Sequence, residues 1–314
     1  MKKPLLIIVG PTAVGKTEIS IHIAKKLNGE IISADSMQVY KKMDIGSAKP
    51  KERERQNIPH YLMGDIDPRE SFSVAQFQEK AKKYIDIILE KNKLPIVVGG
   101  TGLYINSLIY QMDFAETEPD WELRQELQQE AERYGNEYLY KKLQALDQEV
   151  ASRIHPNNVK RVIRAIEVLQ SGNNKEIKDF KTDLVENKEY NYLMIGLIRE
   201  REELYDRINR RVDQLIEKGL IHEVKELMNM GLEEDDISMK GLGYKEIIRY
   251  LKGLYDLEEA IRILKRNTRH YAKRQITWFK RYDQIQWFNL TKYVSIEDAV
   301  SDILKYIEGK LSLL

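Results

Sequence analysis

The chain has 314 residues, a net charge of +1 and no cysteine, which suits a main domain with one satellite and excludes a disulfide framework or a thiolate zinc site. Hydrophobic residues at 42% and charged residues at 32% exclude a disordered chain, which would lack the apolar content needed to offset its ordering entropy. No apolar run reaches the roughly 18 to 20 residues that span a bilayer, Met1 to Leu5 enter a strand-like run directly, and the expectation is a cytoplasmic monomer without a membrane partner.

In chain order, Leu5 to Val9 is an apolar run of strand length ending in Gly10, and Ile19, Ile23, Ala24 and Leu27 give Thr17 to Leu27 a helical spacing. Glu30 to Ser33 reads as a second strand and Tyr61 to Ile66 as a third. Val74, Phe77, Ala81, Tyr84, Ile85 and Ile88 mark an amphipathic helix. Pro95 to Val98 is a buried-type strand closed by Gly99-Gly100-Thr101-Gly102, with a helix from Leu103. From about Thr117 the segments Glu122 to Arg133, Tyr138 to Ala145 and Asn157 to Leu169 are helical, and the next strand is Tyr192 to Ile198. Helices follow at Glu202 to Glu217, Ile221 to Met230, Tyr244 to Leu251 and Leu257 to Arg281, then a strand at Ile285 to Leu290 and a last helix. The alternation predicts an α/β fold: a phosphate-loop (P-loop NTPase-like) parallel-sheet core from 1–116 and 188–314, with a helical C-terminal part and a helical insertion at 117–187. The functional edge of such a sheet lies at the carboxyl ends of its strands.

Gly10-Pro11-Thr12-Ala13-Val14-Gly15-Lys16-Thr17 matches G-x-x-x-x-G-K-[ST] in full, between a strand and a helix. The glycines let successive backbone N–H groups point inward, the helix N-terminus adds partial positive charge, Lys16 reaches the outer phosphate, and the Thr17 hydroxyl can hold Mg²⁺. By itself the motif says only that a di- or triphosphate binds.

Charge is segregated. Arg262, Lys265, Arg266, Arg269, Lys273, Arg274, Lys280 and Arg281 fall between Ala260 and Tyr282 without an acid, whereas ten acidic residues lie between Glu116 and Glu149. Arg262, Arg266, Arg269 and Lys273 share one helical stripe. Such a stripe is ordinarily a solvated face, but here Tyr271, Trp278, Phe279 and Tyr282 intersperse it, a combination that suits phosphate contacts with base stacking.

Beyond the loop, Asp35-Ser36-Met37-Gln38-Val39-Tyr40, Met43 to Pro50, Gly99 to Tyr104, Asn157 to Glu167, Gly243-Tyr244-Lys245 and Lys273 to Phe279 resemble, in order, blocks of the bacterial tRNA dimethylallyltransferases. The resemblance runs from about Leu5 to Arg281. It implies transfer of a dimethylallyl group from dimethylallyl diphosphate to the exocyclic amine of the adenosine 3′ to the anticodon, with release of diphosphate. The last block carries Lys280 where the family commonly has Arg, and the zinc module that eukaryotic relatives append needs cysteines this chain does not have.

Asp35 has ordinary readings as a cap, a turn former or a Mg²⁺ ligand; the resemblance makes it the general base, which suits an amine whose lone pair is delocalised into the purine. Thr101 is read as a helix cap, and the resemblance places it beside the reacting nucleotide. Arg207 and Arg211 share a helical face, either solvated or clamping the departing diphosphate opposite Lys16; Arg207 is favoured. With the stripe, the resemblance implies tRNA contacts from Asp35, Ser36, Met37, Gln38, Thr101, Lys160, Arg161, Arg164, Gly243, Tyr244, Lys245, Arg274 and Gln275. The rivals are prenyl transfer to free AMP or nucleotide phosphorylation, neither of which needs a basic stripe, and an NTP-dependent RNA-binding protein, which would hydrolyse triphosphates.

Overall fold

The computed structural model describes residues 2–112, 120–171 and 184–310. The chain divides into two compact units, Met1–Ile109 with Asn187–Leu314, and Tyr110–Glu186. The sequence places the first boundary at 117. The structure draws it back to Tyr110, which forms an isolated antiparallel bridge with Glu186 at the neck of the insertion.

In the larger unit the first half runs β1 (Lys3–Val9), α1 (Lys16–Lys26), β2 (Gly29–Ala34), α2 (Glu52–Arg55), β3 (His60–Tyr61), α3 (Val74–Glu90), β4 (Leu94–Gly99) and α4 (Gly102–Ile109). The insertion contributes α5 (Trp121–Tyr134), α6 (Asn136–Leu146), α7 (Gln148–Ser152) and α8 (Val159–Gln170). The chain then returns through β5 (Tyr190–Ile198), α9 (Arg201–Glu217), α10 (Leu220–Asn229), α11 (Tyr244–Leu251), α12 (Leu257–Phe279), β6 (Gln286–Asn289) and α13 (Ile296–Glu308).

Six strands form one sheet in the order β3-β2-β4-β1-β5-β6, every pair parallel. β1 sits inside the sheet because Leu5 to Val9 are apolar on both faces and wholly buried, the pattern of a strand covered by helices on each side. Ile19, Ile23 and Ala24 of α1, Leu204 and Ile208 of α9 and Ile303 and Ile307 of α13 join its core. α3 starts where its signals say: Ser73 accepts from Gln76 N, and Gln76 Oε1 accepts from Ser73 N in return. The expected strand Tyr61 to Ile66 shrinks to His60–Tyr61, because Leu62 at φ +56° and Gly64 at φ +81° turn the chain out of the sheet.

The insertion has its own core, in which Leu127 and Ala131 of α5, Leu139 and Leu143 of α6 and Val162 and Ile166 of α8 pack together. Buried Glu167 accepts from Arg124 at 2.8 Å, from the Asp120 amide at 2.8 Å, and from Arg164.

Candidate active site

Register brings the motif loops to one level. Val9 lies opposite Gly99 on one side and Gly196 on the other, and Ala34 lies opposite Gly99. The phosphate loop after β1, Asp35 after β2 and Thr101 after β4 therefore leave the sheet in one row at its carboxyl edge, where open parallel sheets bind ligands.

Within the loop, Gly15 adopts φ +114° and hands the chain to α1, a conformation that suits a residue without a Cβ. Gly10, Pro11 and Val14 are buried and form the scaffold, while Thr12, Ala13, Gly15, Lys16 and Thr17 line a cleft of about 450 Å³. The Lys16 ammonium donates to the Gly10 carbonyl at 2.9 Å and the Pro11 carbonyl at 2.8 Å, so it lies across the loop. Burial pulls its pKa down to about 8, the Asp35 charge opposing and the Arg211 charge assisting.

Asp35 Oδ1 accepts from the amides of Met37 at 2.9 Å and Gln38 at 3.2 Å, shaping the turn after β2. The turn-forming reading thus accounts for one oxygen. No hydrogen bond to Oδ2 occurs among the described residues, and Asp35 lines the cleft. Thr101 Oγ1 accepts from Ser36 N at 3.2 Å and is also bonded to the Tyr271 side chain. Its hydroxyl therefore faces Ser36 and Tyr271 rather than capping α4.

Arg207 donates from Nε to the Ala13 carbonyl at 2.9 Å, and its terminal nitrogens make no hydrogen bond among the described residues. Arg207, Arg210, Arg211 and Gln214 of α9, with Lys218 just past its end, line the same cleft as Lys16 and make its wall strongly cationic. Burial and then the Arg199 charge lower the Arg207 pKa, while burial lowers that of Arg211 against the attraction of Asp35.

A second chamber of about 290 Å³ adjoins the first; Thr12, Asp35, Arg211, Leu215 and Tyr271 line both. Ser36, Met37, Gly46, Ser47, Lys240 and Arg274 belong to it. Asp35 thus stands at the junction of a phosphate-loop compartment and a smaller one that Lys16 does not line.

Several sequence assignments change. Gln275 is buried and uses both ends of its amide internally, Oε1 accepting from Thr12 N and Nε2 donating to the Gly100 carbonyl, each at 2.9 Å; it braces the phosphate loop rather than offering itself to RNA. Tyr271, read as one of the aromatics interspersed with the stripe for base stacking, lines both chambers, and burial and then the Asp35 charge raise its pKa. Tyr244 is fully buried and Gly243 is buried too, so neither reaches a ligand, and Lys245 pairs with Glu234 at 3.1 Å. Acids outside the basic segment reach it: Glu259, three residues earlier on α12, pairs with Arg262 of the stripe, and Asp213 on α9 pairs with Lys265 beside it. Arg269 donates to Asn209 Oδ1 at 2.7 Å and lies over the Tyr205 ring. Arg266 and Lys273 are exposed, and Arg274 lies over the Tyr271 ring at the second chamber. In the insertion, Lys160 is exposed, Arg161 is half-buried on α8, and Arg164 is held by Glu167. Arg211 and Tyr271 are the residues that spacing alone left in the background.

A family model described as IPP transferase matches residues 38–282. A tRNA dimethylallyltransferase of Alkaliphilus oremlandii (strain OhILAs) is 60% identical over 314 residues, covering 100% of both chains. That of Clostridioides difficile (strain 630) is 55% identical over 312 residues, covering 99% of this chain and 100% of its own. Among solved structures, the tRNA isopentenylpyrophosphate transferase of Bacillus halodurans aligns with a TM-score of 0.75 at 48% identity, over 99% of this chain and 97% of its own. A eukaryotic dimethylallyltransferase acting on tRNA aligns with a TM-score of 0.80 at 28% identity, over 99% of this chain and 79% of its own.

Proposed function

From the premise that this chain belongs to the IPP transferase family, we propose that it transfers a dimethylallyl group from dimethylallyl diphosphate to N6 of the adenosine 3′-adjacent to the anticodon in tRNA, releasing diphosphate. The observation that carries this reading is Asp35 at the junction of the two chambers, one furnished for a diphosphate and the other large enough for a base.

The phosphate-loop amides, Lys16 and Arg207 hold the diphosphate, with Arg211 beside it. As the allylic carbon–oxygen bond breaks, the electron pair leaves on diphosphate, and these cations, held in place before reaction, stabilise the growing charge. The N6 lone pair forms the new carbon–nitrogen bond, and its proton passes to the free oxygen of Asp35. Thr101 and Tyr271 hold the Ser36 turn beside that carboxylate. The anticodon base reaches the chamber only if it is unstacked and swung out of its loop.

Thr17 is the proposed protein ligand for Mg²⁺. The described residues contain no cluster of three or more His, Cys, Asp or Glu suited to a metal, which fits an ion that keeps its waters and takes most ligands from substrate phosphates. When bound it would neutralise charge on the diphosphate. We place the enzyme in the cytoplasm, as a monomer; no described helix is long and apolar enough to cross a membrane.

Incubation with Mg²⁺, dimethylallyl diphosphate and unmodified tRNA should give a prenylated adenosine by mass spectrometry. Unmodified RNA together with nucleoside triphosphate hydrolysis would overturn the assignment. The RNA path is tested separately by a salt series. If Arg266 and Lys273 touch phosphates, alanine at either lowers the log-log salt slope of tRNA binding by roughly 0.7 to 0.9 through lost counterion release. Arg269→Ala, whose guanidinium already serves Asn209 and Tyr205, changes the slope less. Equal slopes for wild type, Arg266→Ala and Lys273→Ala would move the RNA path off this face of α12.

A further inference from the structure

Two of the sequence blocks, Met43 to Pro50 and Gly243 to Lys245, take no part in the chemistry above, and the structure joins them through a residue outside both. Glu223 on α10 accepts from the amides of Asp44 at 2.8 Å and Ile45 at 2.6 Å through Oε2, and from the Gly46 amide at 2.9 Å through Oε1. The Tyr244 hydroxyl donates to the same Oε1 at 2.9 Å and is itself bonded to the backbone of Ser47. Two side chains thus satisfy the backbone of four consecutive residues in a segment that is neither helix nor strand. The Tyr244 ring packs so closely on Gly46 that a Cβ there would collide with it. From the other side, Gln38 Nε2 donates to the Ser47 carbonyl and Lys49 Nζ to the Tyr40 carbonyl.

The held segment is a wall of the site: Gly46 and Ser47 line the second chamber and Ala48 the first, whereas Glu223 lines neither. A segment without ladder partners would otherwise give its amides to water and sample many conformers. A carboxylate is the acceptor that best holds several N–H donors at once, because each bond is charge-assisted.

We propose that Glu223, assisted by Tyr244, is a positioning residue for the transfer reaction, fixing residues 44–47 as the wall that aligns the acceptor base with Asp35. This rests on assigning the second chamber to the acceptor. Glu223→Gln keeps the shape but turns an acceptor into a donor among donors. With an anticodon stem-loop RNA its kcat should fall ~10- to 100-fold, the scale of losing one or two charge-assisted hydrogen bonds and the alignment they maintain. Binding of dimethylallyl diphosphate should be unchanged. Hydrogen exchange at residues 44–47 should quicken while β1 and α1 keep their protection. Tyr244→Phe, which leaves the three amide bonds to Glu223 in place, should show the same pattern more weakly.

Wild-type kcat in Glu223→Gln, or a loss of activity matched by equal losses of diphosphate affinity and of protection throughout the core, overturns the inference. Failure of the wild-type protein to prenylate the RNA at all overturns the functional reading instead, so the two failures are told apart.

Discussion

Asp35→Asn is expected to bind both substrates and to turn over at least ~100-fold more slowly, the usual scale of a general base. The geometry makes this substitution informative. Asp35 Oδ1 organises the turn by accepting from Met37 and Gln38, and the amide oxygen of Asn can make the same two bonds. The other oxygen becomes an amino group, which cannot take the N6 proton. Single-turnover kinetics with both substrates saturating measures the chemical step, and equilibrium binding of each substrate serves as the control. Turnover equal to wild type would leave Asp35 with only its turn-forming role.

Lys16→Ala should weaken dimethylallyl diphosphate binding ~10- to 100-fold, as expected for removing a hydrogen bond to a charged group, and should slow leaving-group departure further. Affinity for tRNA should barely change. The depressed lysine adds a test by pH. In the free protein burial pulls the Lys16 pKa down to about 8. A diphosphate brings negative charge beside it and raises that pKa, so binding above pH 8 takes up a proton and the affinity contributed by Lys16 declines as pH rises. Calorimetric titration at pH 9 in two buffers of different ionisation enthalpy should show proton uptake for wild type and less for Lys16→Ala. Identical uptake in both would assign the titrating group elsewhere.

The phosphate loop, the central strand Leu5 to Val9 and the long helices α3, α9 and α12 were legible in the sequence, because each is specified by local periodicity or by backbone requirements within a few residues. Asp35 and Thr101 could be placed near the loop because each follows a strand, and strand ends in a parallel sheet share one edge. The register that brings Val9, Ala34 and Gly99 into one row gave that expectation its geometry.

Side-chain destinations were another matter. A helical wheel groups Arg262, Arg266, Arg269 and Lys273 on one stripe, but it contains no neighbour. Only packing showed that Glu259 and Asn209 engage two of them while Arg266 and Lys273 remain exposed. Gln275, a tRNA contact by resemblance, and Tyr271, an aromatic interspersed with the stripe, prove to brace the phosphate loop and Thr101 from within. Glu223 belongs to no motif block, and its partners at Asp44 to Gly46 lie some 180 residues away in the chain. The sequence by itself determined which backbone segments form the phosphate-loop motif and fill the sheet, since those demands are local. Which cations stay exposed, which polar groups hold the cleft together and which segments wall the second chamber depended on contacts between distant segments, and only the tertiary structure decided them.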